Sequence, residues 1–437
     1  MKKFKALQSK RQFIRNKVVV GIDPAKNKFQ GVILDQNGIM QGPSFTFNAN
    51  HQGLHHLLWD KLNQRIEKFN TQNLVFAVET SCNLWQPLCF YLRGCGYSVL
   101  LVSPLTTKHS RPLISHDFSR TDPKDALLIA SNTRDGYFDF YQDFTPHSNA
   151  MHRLSITYDK LRRNYVQTRL RIRAFMEQLF PEFFEVLNLD TDTGKYLIKR
   201  YFMPGHFIKM DIDEESEKIM KISQQQHGRN TLQKLKELAR ESIGITLGLE
   251  EILAAQLTLT CWITLLETVE GQMKNVMKEL IGLAKETPYF QPIVSLKGIS
   301  DKLAALFIAE TRDLSRFSHY QQIEKHAGVN IKQSQSGDYV GARHISHIGN
   351  RRLRWIIYRM AEETCRYVPE VRMKYLKRQL KRKIYRKNII ACVSPLLKLI
   401  LVLIRENRVY ENRTEHLKEL QELEAAYEKN KKQKQAA

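Results

Sequence analysis

The chain has 437 residues and a mass of 51.2 kDa, with 42% hydrophobic residues, which is enough for a sizeable core and for two to three domains. The balance of 68 Lys and Arg against 45 Asp and Glu gives a formal charge of +23, and the pI is near 9.7. Such a balance points to a polyanionic partner, either nucleic acid or an anionic membrane surface. The basic start MKKFKALQSKRQFIRNK has no apolar segment of a signal peptide. The longest apolar stretch, Ile245–Leu266, is interrupted by Glu250, Glu251 and Gln256, so no membrane span is expected. Nucleic acid is therefore the expected partner and a reducing cytoplasm the expected location. The six cysteines form no CxxC pair, which argues against zinc and a disulfide framework and for small buried apolar residues.

Residues 1–148 read as α/β. Val18–Ile22 and Gly31–Leu34 flank the turn PAKNK as a hairpin, and Gln41–Phe47 offers a third strand. A helix is expected over about His51–Phe69, where Leu54, Leu57, Leu58, Leu62 and Ile66 recur at helical spacing. Leu74–Val78 reads as a buried strand, Leu84–Arg93 as a helix and Val99–Val102 as another strand. A strand meander followed by alternating strand and helix is the order of a ribonuclease-H-like domain.

Four acids stand at the ends of these elements. Asp23 closes the first apolar run, Glu79 closes LVFAVE, and Asp122 with Asp125 opens the helix of TDPKDALLIA. Ordinary structural roles are available to each. Asp23 suits a turn before Pro24, Glu79 a helix start, Asp122 an N-cap before Pro123, and Asp125 the favourable end of a helix dipole. Together they form an all-oxygen donor set suited to Mg²⁺, with Mn²⁺ an alternative, and two such ions clamp the attacking and leaving oxygens of a phosphodiester.

Residues 149–288 read as a helical hairpin or coiled coil. A long helix over Leu154–Phe180 carries Arg162, Arg163, Arg169, Arg171 and Arg173, and a second helical run spans about Thr231–Leu283 with a break near Gly244–Gly248. Residues 289–410 read as a compact, mostly helical domain, in which Gly298 marks either a helix-hairpin-helix turn facing a phosphate or a plain C-cap. Residues 411–437 read as a basic helical tail.

The segment AGVNIKQSQSGDYVGARHISHIGNRRLRW, residues 327–355, is rich in glycine, serine and arginine. Arg343, Arg351, Arg352, Arg354 and Arg359 suit phosphate contacts. Val371–Asn388 adds nine basic residues and no acid, among them Lys377, Arg378, Lys381 and Arg382, with Tyr375 and Tyr385 interleaved for base stacking. Charge alone does not separate DNA from RNA.

GIDPAKNKFQGVILDQNG, VETS and RTDPKDALLIA resemble the start of the bridge-RNA-guided DEDD transposases of insertion sequences, the IS-one-ten and IS-eleven-eleven family. The segment 327–355 is similar to that family's C-terminal domain at Ala327-Gly328, Ser336-Gly337, Ile345-Ser346, Gly349-Asn350 and Leu353-Arg354. The resemblance implies a RuvC-like domain binding metal through Asp23, Glu79, Asp122 and Asp125. It also implies a serine nucleophile, Ser336, with Ser334 as the nearby alternative. Double-stranded donor and target DNA, a structured guide RNA, and a homodimer or homotetramer with composite sites are implied in the same way. The sequence departs from the family where Pro is absent from AGVNIK and where His347 replaces a lysine. A metal-only RuvC-type junction endonuclease and a non-catalytic nucleic-acid-binding protein are the rival readings.

Overall fold

A computed structural model describes residues 2–115, 120–332, 335–336, 339–341, 344–381, 384–412 and 417–435. The chain divides into two compact units, Met1–Asp143 and Phe144–Ala437.

Unit 1 is a mixed six-stranded sheet with helices on both faces. Its strands are β1 (Val18–Asp23), β2 (Lys28–Leu34), β3 (Phe45–Asn48), β4 (Leu74–Glu79), β5 (Ser98–Val102) and β6 (Asp139–Phe140). The sheet order is β3-β2-β1-β4-β5-β6. β1, β4 and β5 run parallel, and β2, β3 and β6 pair antiparallel to their neighbours. The helices are α1 (Lys2–Ile14), α2 (Leu58–Asn63), α3 (Trp85–Gly94), α4 (Pro104–Ser110), α5 (Pro112–Ser115) and α6 (Asp122–Arg134). All six residues of β4 are buried, as expected for a central strand covered on both faces.

Strand periodicity sorts the core into two layers. Val20, Ile22, Phe76 and Val78 face α2 and α3, while Val19, Val75 and Ala77 face α6. α6 lies so close to β1 that a Cβ on Gly21 would come within 2.6 Å of the Ala126 carbonyl oxygen and 2.7 Å of the Ala130 Cβ. At the far end of α6, Arg134 donates to the carbonyls of Ile14 and Lys17, at 3.0 and 2.7 Å.

The helix expected over His51–Phe69 is shorter. A π-helical turn, Gly53–Leu57, precedes α2, which ends at Asn63. Gly53 sits against the backbone of Asn48, where a Cβ would fall 1.8 Å from the carbonyl oxygen, so the turn begins where the chain has no room for a side chain. The Asp122 N-cap is also displaced by one residue: Thr121 takes that position and Asp122 is the first helical residue.

Unit 2 is predominantly helical. Its helices are α7 (Pro146–Leu179), α8 (Phe183–Val186), α9 (Asp192–Arg200), α10 (Pro204–Lys209), α11 (Ile212–Ile222), α12 (Arg229–Arg240), α13 (Leu249–Lys285), α14 (Phe290–Val294), α15 (Asp301–Thr311), α16 (Tyr320–Ala327), α17 (Arg351–Thr364), α18 (Pro369–Lys381), α19 (Tyr385–Arg405) and α20 (Leu417–Gln435). α7 and α13 pair antiparallel. The Ile245 amide donates to the Gln178 carbonyl at one end, and the His147 ring meets the Leu283 carbonyl at the other. α8 to α12 pack on the first half of α13 around Phe180, Phe183, Phe202 and Phe207. A second core joins the far half of α13 to the helices from α14 to α19.

Among the described residues two helices, α13 and α19, are long and apolar enough to cross a membrane. Half of the α19 stretch is buried inside the protein, against 28% of the α13 stretch. From Ile252 to Leu266, α13 carries no charged residue, yet Leu253 and Leu257 are more than half exposed. Among the cysteines, Cys89, Cys365 and Cys392 are buried as expected, whereas Cys95 and Cys261 are exposed.

Candidate acidic site and serine arm

The acids of unit 1 meet because of strand period and register. Val19, Gly21 and Asp23 alternate onto the α6 side of β1, and Val75, Ala77 and Glu79 do so on β4. Ile22 pairs with Val78, so Asp23 and Glu79 are the next step along two adjacent parallel strands. α6 then brings Asp125 from its first turn, directly before the Ala126 that packs on Gly21.

Electrostatics record the convergence. The Asp23 carboxyl is pushed up to about 7, first by burial and then by the charges of Glu79, Asp125 and Asp122, with Arg120 opposing. Burial also raises Glu79, and the neighbouring Thr107 hydroxyl works the other way. Thr107 is fully buried. Asp125 is 2% exposed and held by Arg111 through two 3.0 Å bonds, Nε to Oδ1 and Nη2 to Oδ2. Arg120 adds a longer contact of 3.4 Å. Asp122 is exposed at the helix start.

In unit 2 a short two-tier arm rises between α16 and α17. β7 (Ile331–Lys332) pairs with β10 (His344–Ile345), and β8 (Gln335–Ser336) pairs with β9 (Tyr339–Val340), with Ser336 opposite Tyr339. Ser336 is thus placed by its backbone as the last residue of β8. Ser334, Arg343 and Arg382 lie outside the described residues.

The neck of the arm is tightly built. The His347 amide donates to the Gly328 carbonyl at 3.0 Å, and the Ser346 hydroxyl donates to Asn330 Oδ1 at 2.8 Å. Gly328 and Gly349 both have positive φ, and a Cβ on either would come within 2.7 Å of a backbone atom. Asn350 caps α17 by accepting from the amides of Arg352 and Leu353.

The family model described as a transposase of the DEDD IS110 type matches residues 20–181, a span that includes all four acids. The model described as transposase IS116/IS110/IS902 family matches residues 291–376, a span that includes the arm. The chain belongs to the IS116/IS110/IS902 transposase family. A 44.8 kDa protein of insertion element IS116 from Streptomyces clavuligerus is 26% identical over 118 residues, covering 27% of this chain and 30% of that protein. The pilin gene-inverting protein of Moraxella bovis is 29% identical over 116 residues, covering 26% of this chain and 34% of its own. The matches thus span about a third of the length of these relatives.

The basic residues of this transposase-family chain have several kinds of surroundings. Arg352 donates from Nε to Glu310 at 2.7 Å, and Arg354 donates to the carbonyls of Ala327 and His347, at 2.9 and 3.2 Å. Arg351 is exposed at the start of α17. Arg359 pairs with Glu362 and Glu363. On α18, Lys377 pairs with Glu419 and Arg372 with Glu424, both from α20. Arg378 is half-buried and Lys381 exposed. Tyr375 is 8% exposed within the core, so its ring is unavailable for base stacking. Gly298 has φ +101°, and its Cβ position lies 3.0 Å from the Glu363 carbonyl oxygen, so close packing on α17 accounts for the glycine.

The donor set in unit 1 fits a divalent cation chemically. It offers only hard oxygens, and its central acid is destabilised as an anion by burial and by the neighbouring acids. Among the described residues no three acid, histidine or cysteine ligands yet share one coordination sphere. Sequence reasoning missed Arg111, which stands fourteen positions before Asp125 with no pattern to link them.

Proposed function

We propose that this chain is a DNA transposase or recombinase that cuts and rejoins insertion-sequence DNA. The observation that carries the reading is the meeting of Asp23, Glu79 and Asp125 at adjacent strand ends and a helix start, with Asp23 pushed up to about 7 by burial and its acidic neighbours. Carboxylates pressed together in this way favour a cation in their midst. The order β3-β2-β1-β4-β5, antiparallel and then parallel, supports a ribonuclease-H-like, RuvC-like reading of unit 1. Family membership supports DNA as the substrate.

Asp23, Glu79 and Asp122 would hold Mg²⁺ or Mn²⁺, and Asp125, held by Arg111, completes the set. Such an ion, when bound, neutralises the phosphodiester and steadies the leaving oxygen. Ser336, the last residue of β8 in the arm, is the proposed nucleophile. Its hydroxyl gives up its proton as the oxygen forms a bond to phosphorus, the P–O bond to the adjoining nucleotide breaks, and the departing alkoxide oxygen takes up a proton to leave as a hydroxyl. The covalent intermediate divides strand transfer into two displacements. Arg351 and Lys381 are exposed and suited to contact phosphates. The family resemblance supports a guide RNA and a dimer or tetramer with composite sites.

The test is a trap for protein–DNA adducts on a denaturing gel, with the full chain, Mg²⁺, RNA from the element's non-coding end and a circular donor-junction DNA. Wild type should give an adduct that both Ser336→Ala and Asp23→Ala lose. Cleavage without an adduct, persisting in Ser336→Ala, would instead establish a metal-only nuclease.

A further inference from the structure

Glu310, in the last turn of α15, has a fully enclosed side chain. An enclosed carboxylate is costly unless several donors surround it. Glu310 has three. Ser155 Oγ donates from α7 at 2.7 Å, Arg352 Nε from α17 at 2.7 Å and Asn350 Nδ2 at 2.6 Å. Burial pushes its pKa up, but the bonds from Arg352, Ser155 and Asn350 outweigh burial and leave the carboxyl below its usual range.

Two of these donors belong to the exit of the serine arm. Asn350 is the N-cap of α17, and its own amide donates to the His326 carbonyl at 2.7 Å, on the entry side of the arm. Entry and exit therefore close on each other and are tied through one carboxylate to the long helix α7. We infer that Glu310 is a positioning residue for the serine arm: by holding Asn350 and Arg352 against Ser155 it sets the direction in which the arm presents its tip. The inference rests on the proposed role of Ser336. It assigns Arg352 to holding the arm rather than the DNA.

The experiment uses the full chain with three variants: Glu310→Ala, Glu310→Gln, and Glu310→Gln combined with Asn350→Asp. The combined variant reverses the polarity of one bond. The amide introduced at 310 still accepts from Arg352 and Ser155, and its NH₂ donates to the carboxylate introduced at 350, which still caps α17. Hydrogen exchange of segment 326–354 reports the arm, and α19 serves as the internal control. Adduct formation at saturating donor-junction DNA reports the chemistry, and DNA affinity is measured separately.

Glu310→Ala should speed exchange in 326–354 about tenfold and leave α19 unchanged, as expected for loss of a buried charge-assisted bond. Adduct formation should slow by about tenfold while DNA affinity stays within about twofold, because alignment rather than binding is lost. Glu310→Gln alone should fall between, and the combined variant should recover both readouts. Unchanged exchange in Glu310→Ala, or a combined variant no better than Glu310→Gln, overturns the inference. If Glu310→Ala does not fold, the comparison of the two glutamine variants decides. If wild type forms no adduct, the proposed reaction fails, and exchange alone still decides whether Glu310 holds the arm.

Discussion

Arg111 holds Asp125 in a parallel, two-bond grip, both bonds 3.0 Å, with the aspartate side chain 3% and the arginine side chain 13% exposed. Of the four acids, Asp125 thus has its charge matched from within the protein. Asp23 sits among acids, opposed by the charges of Arg120 and Arg111, and the described residues give it no such two-bond grip. The site is consequently a set of carboxylates in which Asp125 is compensated by a direct ion pair and Asp23 is not.

Removing the guanidinium should leave a buried, unpaired carboxylate. Arg111→Gln is expected to cost unit 1 about 3 kcal/mol, in the range for breaking one side of a buried pair. Millimolar Mg²⁺ should restore more stability to this variant than it adds to wild type. Thermal unfolding with and without Mg²⁺ measures both effects, and an unchanged melting temperature would show that the grip contributes nothing.

The acid site should also impose a pH dependence. The Asp23 carboxyl titrates at about 7 in the fold, against 3.8 as an isolated carboxyl. The folded state then holds a proton that the unfolded state has released, so stability declines as pH rises from about 4 to about 7 and stays lowered above that. Asp23→Asn removes this contribution. Without divalent cation, the variant should gain stability relative to wild type as pH rises through that window. Parallel melting-temperature curves for the two proteins would refute the assignment. Mg²⁺ binding by wild type should strengthen over the same interval, because the proton must leave before the carboxylate binds the ion.

Gly21→Ala tests how the acids are spaced. Its Cβ would stand 2.6 Å from the Ala126 carbonyl oxygen and 2.7 Å from Ala130. Backbone cannot yield as a flexible side chain does, so α6 must move outward, at about 1–3 kcal/mol. Asp122 and Asp125 move with it. The expected result is a lower melting temperature together with a smaller Mg²⁺-induced rise. A destabilised variant with a full Mg²⁺ response would separate the packing from the site.

On α18, Lys377 and Arg372 are paired with Glu419 and Glu424 of α20, whose Leu420, Leu423 and Tyr427 pack against the core. Glu419→Gln with Glu424→Gln should release both cations while the apolar contacts keep α20 in place. Exposed pairs of this kind are worth up to about 1 kcal/mol each. Nucleic-acid affinity should rise, and the slope of log K against log salt should steepen by up to about 1.8. Fluorescence anisotropy between about 50 and 200 mM salt measures both. An unchanged slope would mean that these residues do not contact the polynucleotide.

Much of unit 1 was legible in the sequence because its strands are short apolar runs between turn residues. β1, β4 and β5 begin or end within a residue of the expected limits. Period two, applied to VVVGID and LVFAVE, already places Asp23 and Glu79 on like-facing positions. What escaped depends on contacts far apart in the chain. The helix after His51 was overextended because leucine spacing carries no sign of the Asn48 backbone beside Gly53. The two-residue β6 was too short to show a pattern. Arg111 and Glu310 were invisible as partners, since each finds its charge only after the fold closes. Glu310 in particular ends the run LFIAE and reads as an unremarkable helix-end acid. The role given to Tyr375 failed for a related reason: a tyrosine among lysines looks exposed until the helix is packed.

The uncharged, outward side of α13 between Ile252 and Leu266 has a consequence for how the protein behaves in solution. A net charge of +23 opposes non-specific contact of copies through this apolar side when the Debye length is about 10 Å or more. Added salt shortens that reach to about 3 Å at 1 M while leaving apolar attraction intact. An ionic strength high enough to weaken phosphate contacts at basic surfaces would thus also lower the barrier to apolar contact at Leu253 and Leu257. The solubility of the protein would then fall, rather than rise, with added salt.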